Sequence, residues 1–572
     1  MQNYHRHTSF SNIFIADSTA TNEDYAKRAT ELGHKIISSV EHGWQGYYYQ
    51  CFELAKKYDL KFVFGAEAYW VKDRQKEYYT GTNKKGEETY AKDRSNHHII
   101  ILAKNERGRQ AINDALSEAN LTGYYFRPRL DLDLILNLPP DDVFITSACI
   151  AFSGYDDIDD IILQFHEHFK NNFMLEIQYH NTEKQKTWNK HLYELHKKYG
   201  IELIAGLDSH YILEEDAWQR DAVLEAKGVE YPDERGWFID YPDDKTTFKR
   251  FQIQGIFPDE VIQKAMDNTD ITLTFEDYDD VPIFKKDIKL PTLHPELTLD
   301  QRNQLYRRLI GQKFVDYMKN IPKESYDEYF DGVSAEIKTY EDTGMVDYPL
   351  LDYAIVKDAV EHGGLITDTG RGSAVGFMTN TLCGFSKVDR FKSAIKLYPE
   401  RFISTTRILE THSLPDIDLN VGTPEIFEEA QVRVLGQDHV YPMIAFGTLK
   451  KKSSFKIYAK AKGMDFQLAN EISDQIGNYE EAVKNADGDD KDSIDIYDFV
   501  DRTYKDYIEQ SKEYWGIISD KKKAPSAYLL YQGDIRKEIG LIKCKSESTK
   551  KEYITCVIDG AIAENYKFLK ND

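Results

Sequence analysis

Short apolar runs and amphipathic helical stretches alternate from the N-terminus to about residue 215. Glu23 to Leu32 has helical spacing and is followed by Lys35-Ile36-Ile37-Ser38-Ser39-Val40. The same pairing returns as Tyr49 to Tyr58 with Lys61-Phe62-Val63-Phe64-Gly65, and as Thr187 to Tyr199 with Glu202-Leu203-Ile204-Ala205-Gly206. Helix and strand joined by loops this short predict an α/β unit with parallel strands closing into a barrel. In such folds chemistry gathers at the carboxyl ends of the strands, and Glu41-His42-Gly43, Glu67, Asp208 and His210 fall there. Lys72 to Arg94 is polar and Tyr-rich, and breaks the pattern as a surface excursion would.

Beyond residue 215 the pattern turns helical and acidic. An extended, proline-bounded stretch from Pro282 to Leu293 predicts a domain boundary. Helices are expected from Asp300 to Met318 and from Asp331 to Gly344, and residues 425–520 are helix-rich with a loop around Ala486 to Asp492. Ala527 to Tyr531 and Tyr553 to Ile558 return to strand-like text. Between the helical blocks lies Leu414-Pro415-Asp416-Ile417-Asp418-Leu419-Asn420. On a strand, Asp416 and Asp418 would share one side while Ile417 and Leu419 enter the core. Such a carboxylate pair can clamp a divalent metal. About forty residues earlier, the loop Thr369-Gly370-Arg371-Gly372-Ser373-Ala374 offers bare backbone N–H groups and a guanidinium to a triphosphate. Together the two suggest nucleotidyl transfer, although each alone also fits a solvated strand edge or an ordinary turn.

Composition narrows the class. With 572 residues, two to four domains are expected, and 41% hydrophobic content with 13% aromatics belongs to a globular protein. The sequence has no run of membrane-spanning length and no apolar signal region, which points to a cytoplasmic protein with no membrane partner. Five scattered cysteines without C-x-x-C spacing indicate neither a disulfide framework nor a zinc finger. The net charge of −24 opposes broad attraction to a polyanion. One segment runs the other way: Lys450, Lys451, Lys452, Lys456, Lys460 and Lys462 interleave with Phe455 and Tyr458, and on a helix Lys452, Lys456 and Lys460 share a face.

The N-terminal part carries its own chemistry. His5-Arg6-His7 on a strand end would direct both imidazoles to one side. Asp17, His42, Glu67, His98, Cys149, Asp208 and His210 fall mostly at or near strand ends, where a barrel would gather them into one rim; His98, rather than its neighbour His97, is the candidate. Nine N, O and S donors exceed the needs of one ion. They suit a cluster of two or three zinc, manganese or iron ions, able to activate water and assist displacement at phosphorus.

These blocks resemble, in order, those of the C-family DNA polymerases, the bacterial polymerase III alpha type. His5-Arg6-His7, Glu41-His42-Gly43, Gly65-Ala66-Glu67-Ala68-Tyr69, His98 to Asn105, Ile145 to Cys149 and Leu207-Asp208-Ser209-His210-Tyr211 resemble that family's polymerase-and-histidinol-phosphatase (PHP) domain. Gly370-Arg371-Gly372-Ser373, Pro415-Asp416-Ile417-Asp418 and Phe446-Gly447-Thr448 resemble its palm. The resemblance implies a distorted (β/α)7-type metal-binding barrel, then a mixed α+β nucleotidyltransferase-like palm with a helical thumb. It implies the boundaries 1–275 for the PHP domain with a helical extension, 276–445 for the first part of the palm, 446–522 for the thumb and 523–572 for the second part of the palm.

It further implies a DNA-directed DNA polymerase working by two-metal transfer on a primer–template and deoxynucleoside triphosphates, among other replisome proteins. Asp416 and Asp418 would hold Mg2+, and Gly370, Arg371, Gly372, Ser373, Lys452 and Lys456 would hold the triphosphate. The nine N-terminal residues would hold Zn2+ or Mn2+, for a 3′–5′ exonuclease or as structure. The chain departs from the pattern at Asn420, where the family often has an acid, and at Lys450 and Lys451, which replace small residues. It also stops at Asp572, short of the family's fingers. The third palm acid is then either Asp572, in Leu569-Lys570-Asn571-Asp572, or lies on another polypeptide. The readings that follow are the first part of a split gene whose C-terminal fragment completes the polymerase, a stand-alone phosphoesterase with an inactive palm and, least in keeping with two metal sets, a non-catalytic assembly or decoy protein; the composition also suits a phage or mobile-element copy.

Overall fold

The first helix of the chain, Asn22–Leu32, is fixed at both ends by local chemistry. Thr21 and Asp24 form a reciprocal capping box, and Gly33 closes the helix with φ of +72°. A side-chain N-cap likewise opens Glu106–Leu121, from Asn105, and Glu183–Tyr199, from Thr182, and Gly200 closes the second of these. The computed structural model describes residues 1–571 apart from 232–235, 370–374, 396, 400–403, 412–416, 418, 487–490 and 492.

By internal packing the chain divides into one unit of Met1–Tyr278 with Phe446–Lys522, and a second of Asp279–Ala445 with Lys523–Asp572. In the first unit the strands are β1 (Ile36–Ser38), β2 (Lys61–Val63), β3 (Gly65–Val71), β4 (Glu77–Thr82), β5 (Glu88–Lys92), β6 (His97–Ala103), β7 (Leu130–Asp131), β8 (Val143–Thr146), β9 (Phe173–Ile177) and β10 (Leu203–Ala205). Six form one sheet in the order β10-β9-β8-β6-β3-β7, while β1-β2 and β4-β5 pair separately. Isolated bridges extend the set, Arg6 with Ser209 and His42 with Glu67.

The expectation of parallel strands holds for β1-β2, β8-β9, β9-β10 and β3-β7, and fails for β3-β6 and β6-β8, which are antiparallel. For β3-β6 the reason is the connection. Between β3 and β6 the chain makes only the β4-β5 hairpin, with no crossover helix to reverse its direction, so the next strand returns antiparallel. That hairpin is the Lys72 to Arg94 excursion, and Tyr79 and Tyr90 on it are exposed. Helices Lys451–Ala461, Phe466–Asn485 and Lys505–Ser511 enclose a core of Phe455, Ile472, Ile476 and Ile508. They join the N-terminal residues through a second cluster of Val223, Leu449, Tyr514 and Ile517.

The second unit carries a sheet ordered β13-β14-β11-β12-β15, where β11 is Val440–Thr448, β12 Ile518–Leu530, β13 Leu541–Lys545, β14 Glu552–Cys556 and β15 Leu569–Asn571. The chain passes from one unit to the other within β11 and β12. Its core joins helices Leu299–Met318, Tyr326–Asp342 and Asp347–Glu361 around Tyr306, Tyr340, Leu351 and Ile355. Ile417 is buried in this core and Leu419 packs against it.

Candidate metal centre

The N-terminal segment runs alongside the extension of β10: His7 N–H donates to Ser209 O at 2.8 Å, and Ser209 N–H to His5 O at 3.3 Å. His5 and His7, two residues apart, therefore reach the same place as Asp208 and His210. Asp208 is held at φ of +48°, a conformation that a non-Gly residue keeps only when its surroundings impose it. Glu67 comes from β3, and His98 lies directly opposite Tyr69 on the paired β6. Neighbours on a strand face opposite ways, and His97 turns aside to hydrogen-bond Ala151 O at 2.8 Å.

All nine expected residues lie in one contact network. Glu67 is its hub: Oε1 is 3.0 Å from His98 Nδ1 and 3.3 Å from His5 Nε2, and Oε2 is 2.6 Å from His42 Nδ1 and 3.2 Å from His7 Nε2. Asp208 Oδ1 lies 3.1 Å from His5 Nε2 and 3.3 Å from His7 Nε2. Asp17 reaches His210 Nε2 at 2.9 Å and His42 Nε2 at 3.3 Å, and Cys149 Sγ sits 3.3 Å from His98 Nδ1. His5 Nε2, His7 Nε2, His42 Nδ1, Asp208 Oδ1 and both Glu67 oxygens are buried yet take part in no hydrogen bond of sound geometry. Convergent lone pairs without protons between them are what divalent metal ligands require. Three groups bring their donor atoms within 4.8 Å of one another: His7-His42-His210, His5-His7-Glu67 and His42-Glu67-His98. The donor set therefore fits more than one ion.

The electrostatics are set by the buried carboxylates and the imidazoles around them, and where they favour a proton on His5 or Cys149 a metal ion must displace it. Burial opposes ionisation of Glu67, yet His98, His42 and His5 hold its carboxyl well below the usual range. Burial likewise opposes charging of His5, but Asp208, Glu176 and Glu67 raise it well above an ordinary imidazole. Burial, then Glu67 and Asp208, push the Cys149 thiol up, so the sulfur becomes a ligand only alongside a cation that offsets those charges.

Several groups around the centre were not among the sequence candidates. Glu176, at the end of β9, accepts from Tyr4 Oη at 2.9 Å and Thr146 Oγ1 at 2.7 Å and lies 2.7 Å from His5 Nδ1, orienting that ring. Gln178 Nε2 bonds Glu176 at 3.0 Å, and Arg220 Nη2 lies 3.3 Å from Asp17. Glu41, already placed at a strand end by the sequence, accepts from Thr8, Ser11 and Arg6, which fixes the turn beneath the histidines. The signal for Glu176 is the apolar run Phe173-Met174-Leu175 ahead of it, a strand with an acid at its carboxyl end.

In the second unit, Asp416, Asp418 and Asp572 lie outside the described residues, as do Gly370, Arg371, Gly372 and Ser373. Their described flanks are joined: Thr367 N–H donates to Asn420 O at 2.9 Å, Gly422 N–H to Leu365 O at 2.8 Å, and Ile366 bridges Val421. Ile417 N–H donates to Tyr348 Oη at 3.1 Å, and β15, ending at Asn571, pairs antiparallel with β12. Lys452 and Lys456 stand on the helix Lys451–Ala461 of the first unit. Lys452 lies 3.3 Å from Asp474, Lys456 is exposed, and Lys460 caps the end of another helix through Ala226 O at 2.6 Å. Phe446 packs in the first unit against Phe10, Trp44 and Tyr47.

Residues 3–180 match the PHP domain, and residues 302–572 match the bacterial DNA polymerase III alpha NTPase domain. Among curated proteins the chain is similar to the DNA polymerase III subunit alpha of Aquifex aeolicus, 25% identical over 497 residues, and of Borreliella burgdorferi, 27% identical over 487 residues; each alignment covers 82% of this chain. The subunit of Helicobacter pylori is 24% identical over 510 residues. The chain spans about 40% of the length of the relatives it matches. Among the described residues no helix is long and apolar enough to cross a membrane.

Proposed function

Because the chain belongs to the bacterial DNA polymerase III alpha family, carrying its PHP domain and its alpha NTPase domain, we propose that it works in template-directed DNA synthesis in the cytoplasm. The observation that carries this reading is the ordered pair of domain matches, over 3–180 and 302–572. Asp416 and Asp418, with Asp572 or an acid from another polypeptide, are the groups to hold Mg2+. Bound there, Mg2+ would lower the pKa of a primer 3′-hydroxyl and neutralise the leaving pyrophosphate. Arg371, Ser373 and the backbone of Gly370 and Gly372 would grip the phosphates, with Lys452 and Lys456 adding charge. DNA primer–template, deoxynucleoside triphosphates, replisome proteins and a C-terminal polymerase fragment are the partners this role requires. Primer extension by the chain, alone and with the remaining three-fifths of a relative's sequence supplied separately, tests it. Asp416→Ala and Asp418→Ala should each reduce synthesis by orders of magnitude, and undiminished synthesis in both overturns the reading.

A second activity is favoured by the packing of the nine N-terminal residues into one buried network around Glu67. Zn2+ or Mn2+ held by them would act as Lewis acid toward a phosphodiester and supply a nucleophilic water. His5 and His98, both on Glu67, Cys149, and the Asp17–His210 pair supply the remaining donors, and Glu176 keeps the His5 ring in its orientation. We infer a 3′–5′ exonuclease. Release of nucleotides from a labelled 3′ end should be abolished by His7→Ala and by Asp208→Ala, with at least one equivalent of metal lost by elemental analysis.

A further inference from the structure

From the metal centre a line of contacts leads to the surface through Tyr69. Its ring is parallel to the His42 imidazole at 6.0 Å and edge-on to His98 at 5.3 Å. Its hydroxyl accepts a 2.7 Å bond from Arg127 Nη1, whose guanidinium carbon lies 5.0 Å from the ring centroid. The preceding residue, Phe126, is 65% exposed and has φ of +63°. An aromatic side chain in the left-handed region is strained, and this one is offset only by the edge of Tyr125 at 4.8 Å and the guanidinium of Arg94. Arg94 stands beside it, 4.9 Å from the Phe126 centroid and 5.9 Å from that of Tyr125. Among the described residues, Arg94 and Arg127 engage rings and a phenol oxygen and pair with no carboxylate. In a chain of net charge −24 that is unusual.

The display is held from below. Arg129 is buried, and its guanidinium contacts Tyr125 O, Arg127 O at 3.3 Å, Ser95 O at 3.1 Å, Arg94 O at 3.2 Å and Asn96 Oδ1 at 3.3 Å. All these bonds go to the two segments that present Arg94 and Phe126. Tyr125 N–H also donates to Arg127 O at 3.0 Å, which closes the turn with Phe126 at its tip. A buried cation is here committed to fixing a strained, exposed aromatic and two unpaired arginines in one place.

We propose that Arg94, Phe126 and Arg127 form a platform for single-stranded nucleic acid, with a base stacked on the exposed part of the Phe126 ring and backbone phosphates on the two guanidinium groups, feeding a 3′ end toward the metal centre that lies behind the buried Tyr69. The ligand class follows from the chemistry: every unpaired base has a face to stack, and a duplex hides those faces. Guanidinium groups suit phosphate oxygens and stack on rings as well. The direction of travel rests on the exonuclease reading; the platform itself does not.

Fluorescence anisotropy of a labelled oligothymidylate of ~16 nucleotides with the full chain in EDTA tests binding without hydrolysis. Phe126→Ala should weaken binding about tenfold and Phe126→Tyr should restore it, since one stacked base is worth roughly that much. Arg94→Glu should weaken binding and flatten the log–log salt slope by about 0.7, the value for one phosphate contact on a single strand. A duplex of equal length should bind more weakly. Because asparagine tolerates positive φ, Phe126→Asn provides a variant that leaves the turn unstrained. Parent affinity in Phe126→Ala, Phe126→Asn and Arg94→Glu, absence of binding by the parent chain, or equal affinity for duplex each overturn the platform. Loss of binding in these variants from a parent that never hydrolyses a 3′ end upholds the platform and overturns the exonuclease reading instead. Unchanged binding in the variants of a parent that does hydrolyse has the opposite meaning.

Discussion

Asp352 shows how much a single carboxyl can cost. It is fully buried on the helix Asp347–Glu361, and neither of its oxygens has a hydrogen-bond partner among the described residues. Burial pushes it to about 8, with Asn571 the one side chain that eases its charged form. An unfolded Asp ionises near ~3.9, so between about pH 4 and 8 the folded state holds a proton that the unfolded state has released. Stability must therefore fall as pH rises through that window, by at most about 1.4 kcal/mol per pH unit. In Asp352→Asn the slope should flatten, as read by denaturant unfolding at pH 4.5 to 8. At this scale the gathering of the candidate ligands was largely legible: His5, His7, Asp17, His42, Glu67, His98, Cys149, Asp208 and His210 do lie in one contact network, although Asp17 comes from a loop and Glu67 from within β3 rather than from strand ends. Glu176 was not singled out, because it lies inside a short apolar strand, next to Ile177, where its partners Tyr4, Thr146 and His5 come from distant parts of the chain. Asp352 was not either, because a lone acid on a helix looks solvated until the packing around it is known.

Helix Glu106–Leu121 fits closely against the loop before β8. Asn105 accepts from Gly108 N–H at 2.9 Å to cap it, and a Cβ on Gly108 would lie 2.0 Å from Asp142 O. Gly108→Ala should therefore destabilise the first unit by about 1–3 kcal/mol despite alanine's better helix propensity, measurable as a lowered denaturation midpoint. Periodicity located most elements within a few residues, including Asn22–Leu32, Tyr48–Tyr58 and Leu299–Met318. It misjudged the direction of β6. Strand alternation reports which face is buried and is silent on polarity, which depends on what the chain does between Val71 and His97. A Tyr-rich polar stretch read as an excursion hid a hairpin, and with it the antiparallel return.

For the whole molecule, in buffer free of Mg2+, Zn2+ held by the N-terminal residues should stabilise the first unit and leave the second alone. Two calorimetric transitions are expected, and adding a chelator should lower only that of the first unit. At an ion concentration 100-fold above the dissociation constant, the loss is about 2.7 kcal/mol. A uniform shift of both transitions, or none, would contradict this. The unit boundaries carry one more consequence. Phe446–Lys522 belongs to the same unit as Met1–Tyr278, and Asp279–Ala445 to the other, so each unit is assembled from two stretches of chain that interrupt one another. A single recombination event at residue 278 would strand Val223 without Leu449, Tyr514 and Ile517, and Phe10, Trp44 and Tyr47 without Phe446. The two halves of this chemistry are thus bound to be inherited together, and a fragment made to isolate the metal centre must carry residues 446–522 as well as the first 278.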